Sequence, residues 1–132
     1  MTTIINAVSG TGLTQTADGS GVIKLQSNGV TTNALAWVNF NGTTSPGTVR
    51  SSYNVSSVTR NATGDYTVNF SVSTTDANYV TVVNSECIGG TSYGWCGPYS
   101  GGQTTSGSRV TTTDGSGSAT NRTYINVAIF GN

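Results

Sequence analysis

Both cysteines of the chain and three of its aromatic residues share one glycine-rich stretch, ECIGGTSYGWCGPYSGG, at positions 86–102. Cys87 and Cys96 enclose eight residues, which is not the C-x-x-C spacing of a redox pair. Two thiolates alone also make a weak metal set. A disulfide closing this segment is chemically reasonable in an oxidising exterior. Two free thiols are the alternative, and the spacing leaves both open. Tyr93, Trp95 and Tyr99 also have two readings. They can cover the base of their own loop. They can instead stand exposed as receptor-contact residues, because aromatic faces fit sugar faces and protein grooves. A closed loop carrying them would bind at a lower entropic cost.

Other chemistry is scarce. The chain has no histidine, which removes Ser–His and Cys–His nucleophilic systems, His-bearing zinc sites and the usual neutral-pH general base. Its carboxylates are Asp18, Asp65, Asp76, Glu86 and Asp114. A glycosidase needs only two, but each of these falls in a turn or at a strand end, where Asp is usually solvated. Calcium loops of the D-x-[DN]-x-[DN]-G type, P-loops and dinucleotide fingerprints do not occur. The expectation is a protein without enzymatic activity, cofactor or metal. Net charge is zero, and Lys24, Arg50, Arg60, Arg109 and Arg122 are scattered singly. Nucleic acid and anionic membrane both call for clustered basic charge, so neither is expected as a partner. Neither an apolar run of bilayer length nor a charged-then-apolar leader is seen, so membrane insertion and secretion by a signal peptide are not expected.

The body that must position these residues reads as all-β. Ser, Thr, Asn and Gly make up over half of the chain, and Val outnumbers Leu, Ile and Met together. Thr and Val favour strands over helices, and no helical apolar period of useful length occurs. Strands are expected at 2–8, 20–27, 34–41, 48–58 (weaker and bent), 65–73, 77–86, 108–113 and 122–130. The clearest is 65–73, where Tyr66, Val68, Phe70 and Val72 alternate with Thr67, Asn69, Ser71 and Ser73. Residues 61–65 read as a hairpin turn before it, and 77–86 follows it as the next strand of an antiparallel meander. Trp37 and Asn39 should face away from Val38 and Phe40. In the last strand both faces carry apolar groups, which marks it as central or subunit-facing. DGSG at 18–21 and 114–117 reads as a pair of Asp-Gly turns.

Turn-punctuated strands of this length fit a small antiparallel β-sandwich or barrel-like knob preceded by a short β-strand-and-turn arm. The arm spans 1–33 and the knob module 34–132, with 87–105 as a displayed loop. Bulky apolar side chains are few for the backbone entropy that folding must overcome. Self-association is the simplest remedy.

Several segments resemble a known family. AWVNFNGT (36–43), SYNVSSVTRNATGDYTVNF (52–70), DANYV (76–80) and INVAIFGN (125–132) resemble the terminal knob module of tailed-bacteriophage fibre proteins. NAVSGTGLTQTADGSGVIKLQSNG (6–29) is similar to the short β-rich segment that precedes such knobs. The resemblance implies a virion structural protein on the tail or capsid surface. It implies a homotrimer, joined to other virion proteins through the N-terminal arm, whose exposed loops contact a host-surface glycan or protein. The long anchoring and shaft regions of large fibres have no counterpart here. A fibre or knob that contacts the host is favoured over a capsid decoration protein that stabilises the shell. A free carbohydrate-binding module is the rival from another class.

Overall fold

The computed structural model describes residues 25–27, 30–86 and 94–131. Two short strands, β1 (Gln26–Ser27) and β2 (Val30–Thr31), pair antiparallel at its start. The module that follows has eight strands. They are β3 (Ala34–Asn41), β4 (Thr48–Tyr53), β5 (Val55–Ala62), β6 (Asp65–Phe70), β7 (Val80–Ser85), β8 (Cys96–Thr104), β9 (Gly107–Thr112) and β10 (Ile125–Phe130). They form two antiparallel four-stranded sheets, ordered β4-β3-β10-β7 and β5-β6-β9-β8. The molecule is therefore all-β, a small sandwich. Residues 1–24 of the expected arm lie outside the described residues, as does the first DGSG turn.

The chain stays within one sheet at three hairpins (β3–β4, β5–β6 and β8–β9) and changes sheet between them. The tightest crossing is one residue, Asn54, with φ 54°. Asn enters this left-handed conformation more readily than most residues, and its side chain is held here by two segments distant in sequence. Here Nδ2 donates to the carbonyls of Leu35 at 3.0 Å and Val72 at 3.1 Å, and Oδ1 accepts from Val72 N at 2.8 Å. The bent strand expected at 48–58 is thus two strands in different sheets. Gly64, at φ 67°, closes the β5–β6 hairpin at the expected turn.

Period-two alternation fills the space between the sheets. Ala36, Val38 and Phe40 of β3 and Ile125, Val127 and Ile129 of β10 are buried from one side. Val58 of β5, Tyr66, Val68 and Phe70 of β6 and Val110 of β9 meet them from the other. Phe40 and Tyr66 pack edge-to-face across the sheets with centroids 5.2 Å apart, a geometry aromatic quadrupoles favour. Tyr66 Oη lies 3.0 Å from Gly42 O and 2.8 Å from Asn121 Oδ1, and its one proton is donated between these two acceptors, which removes the penalty of burying a hydroxyl. Burial still pushes this phenol, and that of Tyr79, above the ordinary tyrosine range.

Two expectations need correction. Residues 65–73 and 77–86 are not adjacent meander strands: β6 and β7 lie in different sheets, and β6 pairs with β5 and β9. The link between them is long enough to cross the sandwich. It is pinned there by Asn54 at Val72 and by Tyr79, whose Oη donates to Gly107 O at 2.7 Å. Second, 87–105 is not a loop throughout, because Cys96–Thr104 is β8, the edge strand of the second sheet. Its five glycine, proline and serine residues hide a strand signal that backbone pairing with β9 supplies.

Candidate interaction surfaces

The two outer faces of the sandwich differ sharply. On the first sheet, Trp37 of β3, Ala128 of β10 and Val82 of β7 lie side by side in register, with Tyr53 of β4 beyond Trp37. Phe130 and Val80 form the next such pair. Val80 is 62% and Val82 51% exposed, and Trp37 and Phe130 also reach solvent. Small Ala128 leaves a shallow depression of about 300 Å³ between Trp37 and Val82, rimmed by Asn39, Asn126 and Asn84, with an almost wholly apolar exposed lining. Asn39 Nδ2 donates to Asn126 Oδ1 at 2.6 Å along that rim. At the same end the Arg50 guanidinium lies 4.2 Å from the centre of the Tyr124 ring. β10 is central, as its two apolar faces imply.

On the second sheet the outer face is hydroxyl and amide. Asn61 Nδ2 donates to Asp65 Oδ1 and Thr67 Oγ1, at 3.1 and 3.0 Å. Asn69 Nδ2 donates to Ser57 Oγ and Thr59 Oγ1, both at 3.0 Å. Arg109 of β9 meets Asp65 of β6 through a fork, Nε to Oδ1 at 2.8 Å and Nη2 to Oδ2 at 2.5 Å. That pairing holds the Asp65 carboxyl below the ordinary carboxylate range and raises the Arg109 guanidinium above its own. The other face of Arg109 lies against Tyr99, 4.0 Å from the ring centre.

The expected contact residues divide accordingly. Trp95, 78% exposed, and Tyr99, 42% exposed, both reach solvent on the second sheet's side. Trp95 is tied to the sheet by backbone, its N donating to Thr113 Oγ1 at 3.0 Å and its O accepting from Thr113 N at 2.8 Å. Tyr93 and Cys87 lie outside the described residues. Cys96 carries a free thiol that points toward the first sheet, its Sγ donating to Val83 O at 3.4 Å.

The other described carboxylates each accept hydrogen bonds. Asp114 Oδ1 accepts from Ser116 N, Ser118 N and Ser116 Oγ at 2.7–2.9 Å, and the Ser116 hydroxyl leads in lowering its pKa. With Gly117 at φ 85° this is the expected Asp-Gly turn. Asp76 Oδ1 accepts from Asn78 N, and Glu86 Oε1 from Thr123 N. Arg122 is buried, with Nη2 donating to Thr113 O at 2.7 Å. Gly94 passes so close to this bond that no Cβ fits there. Among the described residues no three His, Cys, Asp or Glu side chains gather as a metal cluster, and no helix is long and apolar enough to cross a membrane.

Arg109 and Asp65 are the site residues that sequence reasoning passes over. Alternation in SRVTTT and DYTVNF puts each on the polar side of its strand. Their meeting depends on β6 pairing with β9, which no local pattern encodes. Compared with known proteins, the chain matches no family model, no curated protein and no solved structure.

Proposed function

We propose that this protein is a surface-exposed structural protein of a tailed-bacteriophage virion. It would be a homotrimeric knob without enzymatic activity, held to the particle through residues 1–33 and turning its second sheet toward the host. The observation that carries this reading is the uncovered apolar face of Trp37, Val80, Val82, Ala128 and Phe130. Contiguous apolar surface of this kind marks an interaction site. The partner is two further copies of the chain. Zero net charge leaves little mutual repulsion between copies. The core of a single copy is thin, and burial of this face adds stabilisation of roughly 25 cal/mol per Å². The threefold count and the virion setting rest on the resemblance of segments 36–43, 52–70, 76–80 and 125–132 to fibre knobs.

The test joins two measurements. Light scattering on the purified full chain should return three times the 13.5 kDa protomer mass. Gold-labelled antibody should decorate the tail of phage particles. A capsid-lattice pattern would assign the protein instead to shell decoration. A monomeric protein found on no particle would overturn the proposal and favour a free carbohydrate-binding module.

A further inference from the structure

We propose that the outer face of the second sheet binds a neutral oligosaccharide, stacked on Trp95 and Tyr99 and hydrogen-bonded by the Asp65–Arg109 pair. The proposal rests on the reading of the protein as a host-contacting module, and names the ligand class for that contact.

Gly97 lies opposite Thr111, and Thr111 opposite Asp65. Tyr99 lies beside Arg109, which is opposite Thr67. Side chains two apart on an extended chain share a face, so Trp95, just before β8, projects with Gly97; Tyr99 follows Pro98, where the β8–β9 register breaks, and its contact with Arg109 places it on that same face. Four residues of extended chain set the two aromatics roughly 13 Å apart, a span of a few sugar units. Between them the position above Gly97 is empty: a Cβ there would meet nothing within 4 Å. The strip between the rings is therefore a flat floor of Gly97 and Thr111, ending at Asp65.

The chemistry selects the ligand. Sugar rings present apolar C–H faces to aromatic rings and hydroxyls at their edges. Tyr99 is held in place before any ligand arrives, because Arg109 lies over its ring and Asp65 fixes Arg109. Such preorganisation lowers the cost of binding. The only charges that the four strands place on this face are that one paired cation and anion, so nothing draws in a charged polymer. The rest is Ser57, Thr59, Asn61, Thr67, Asn69 and Thr111. The Asn61 and Asn69 amide N–H groups are used within the face, but an apolar protein partner would still strip water from the amide oxygens and hydroxyl protons they leave over, which costs free energy. Sugar hydroxyls supply the partners.

The experiment titrates the full-length protein with cellohexaose, chitohexaose, dextran and a lipopolysaccharide O-chain, reading tryptophan emission and heat. At least one probe should shift the emission to the blue, with an affinity of roughly millimolar or better. Trp95→Ala and Tyr99→Ala should each weaken binding about tenfold or more. Gly97→Ile should abolish it, while leaving circular dichroism and oligomeric mass unchanged, because the new side chain fills only the open floor. If Trp95→Ala does not fold, Gly97→Ile and Tyr99→Ala carry the test. No response to any of the four probes overturns the proposal, and so does wild-type binding by Gly97→Ile. Particle association without glycan binding would sink this site and keep the virion reading. Glycan binding by a protein found on no particle would do the reverse.

Discussion

Arg109 holds Asp65 through two parallel hydrogen bonds across the β6–β9 pair, and it is the only ion pair among the described residues. Bidentate pairing of this kind is stronger than an ordinary surface contact. Arg109 also lowers the Asp65 pKa from its ordinary 3.8. A depressed carboxylate contributes stability that is present above the unfolded-state pKa and lost as pH falls through the folded-state value. Urea midpoints should therefore hold steady near neutrality and drop below about pH 4. Asp65→Asn should lower the midpoint at pH 7 and flatten part of that acid limb. Asp114, also lowered, supplies another part, so Asp65→Asn with Asp114→Asn should flatten it further. An acid limb unchanged in the double variant would remove the assignment.

Asn54 joins the two sheets through one residue. Asn54→Ala loses three hydrogen bonds, to Leu35 and Val72, and puts a residue that enters the left-handed region less readily than Asn at φ 54°. The expected loss is about 2–3 kcal/mol, from left-handed strain and from the part-buried Leu35 carbonyl left without its donor, the Val72 groups being open to water. Asn54→Gly keeps the backbone geometry and should lose less. Chemical denaturation of the three proteins checks the order: wild type, Gly, then Ala.

These two sites show what was legible in the sequence and what was not. Alternation in 34–41, 65–70 and 125–130 fixes which side chains turn inward, because period two follows from the pleat alone. Trp37, Asn39, Val38 and Phe40 fall on the faces expected of them. Sheet membership is another matter. Nothing in SYNVSSV says that one residue carries the chain from sheet to sheet, because the corner is set by contacts with Leu35 and Val72, distant in sequence. β8 was illegible for the opposite reason. Its CGPYSGGQT composition opposes strand formation, and the ladder with β9 overrides it. The exposure of Trp95 and Tyr99 follows from β8 being an edge strand, so the contact surface came into view only with the topology.

Phe70 tests the inward register of β6. Its ring meets Tyr79 edge-to-face at 5.8 Å, and it is buried with the core. Phe70→Ala should cost about 3–5 kcal/mol, from lost transfer energy and an unfilled cavity. Thermal and urea unfolding would report it. Tyr66→Phe probes the other end of the same strand: it deletes the hydroxyl that bonds Gly42 O and Asn121 Oδ1 and should cost about 1–3 kcal/mol. A neutral result for Phe70→Ala would mean that the face assigned to the core is wrong.

Val82 gives the sharpest test of self-association. Its side chain projects from β7 on the uncovered face, half exposed in the single chain. Lysine there is solvated in a monomer and should change protomer stability by no more than about 0.5 kcal/mol. In a trimer joined through this face it would bury an unpaired ammonium, which costs far more. Val82→Lys should therefore sediment as a folded monomer at concentrations where the wild-type protein is trimeric. Thr67→Lys, on the outer face of the second sheet, should leave the trimer intact. Dissociation by Thr67→Lys with an unaffected Val82→Lys would move the interface to the other sheet. It would also cover the surface assigned to sugar, so this pair of variants tests both surfaces at once.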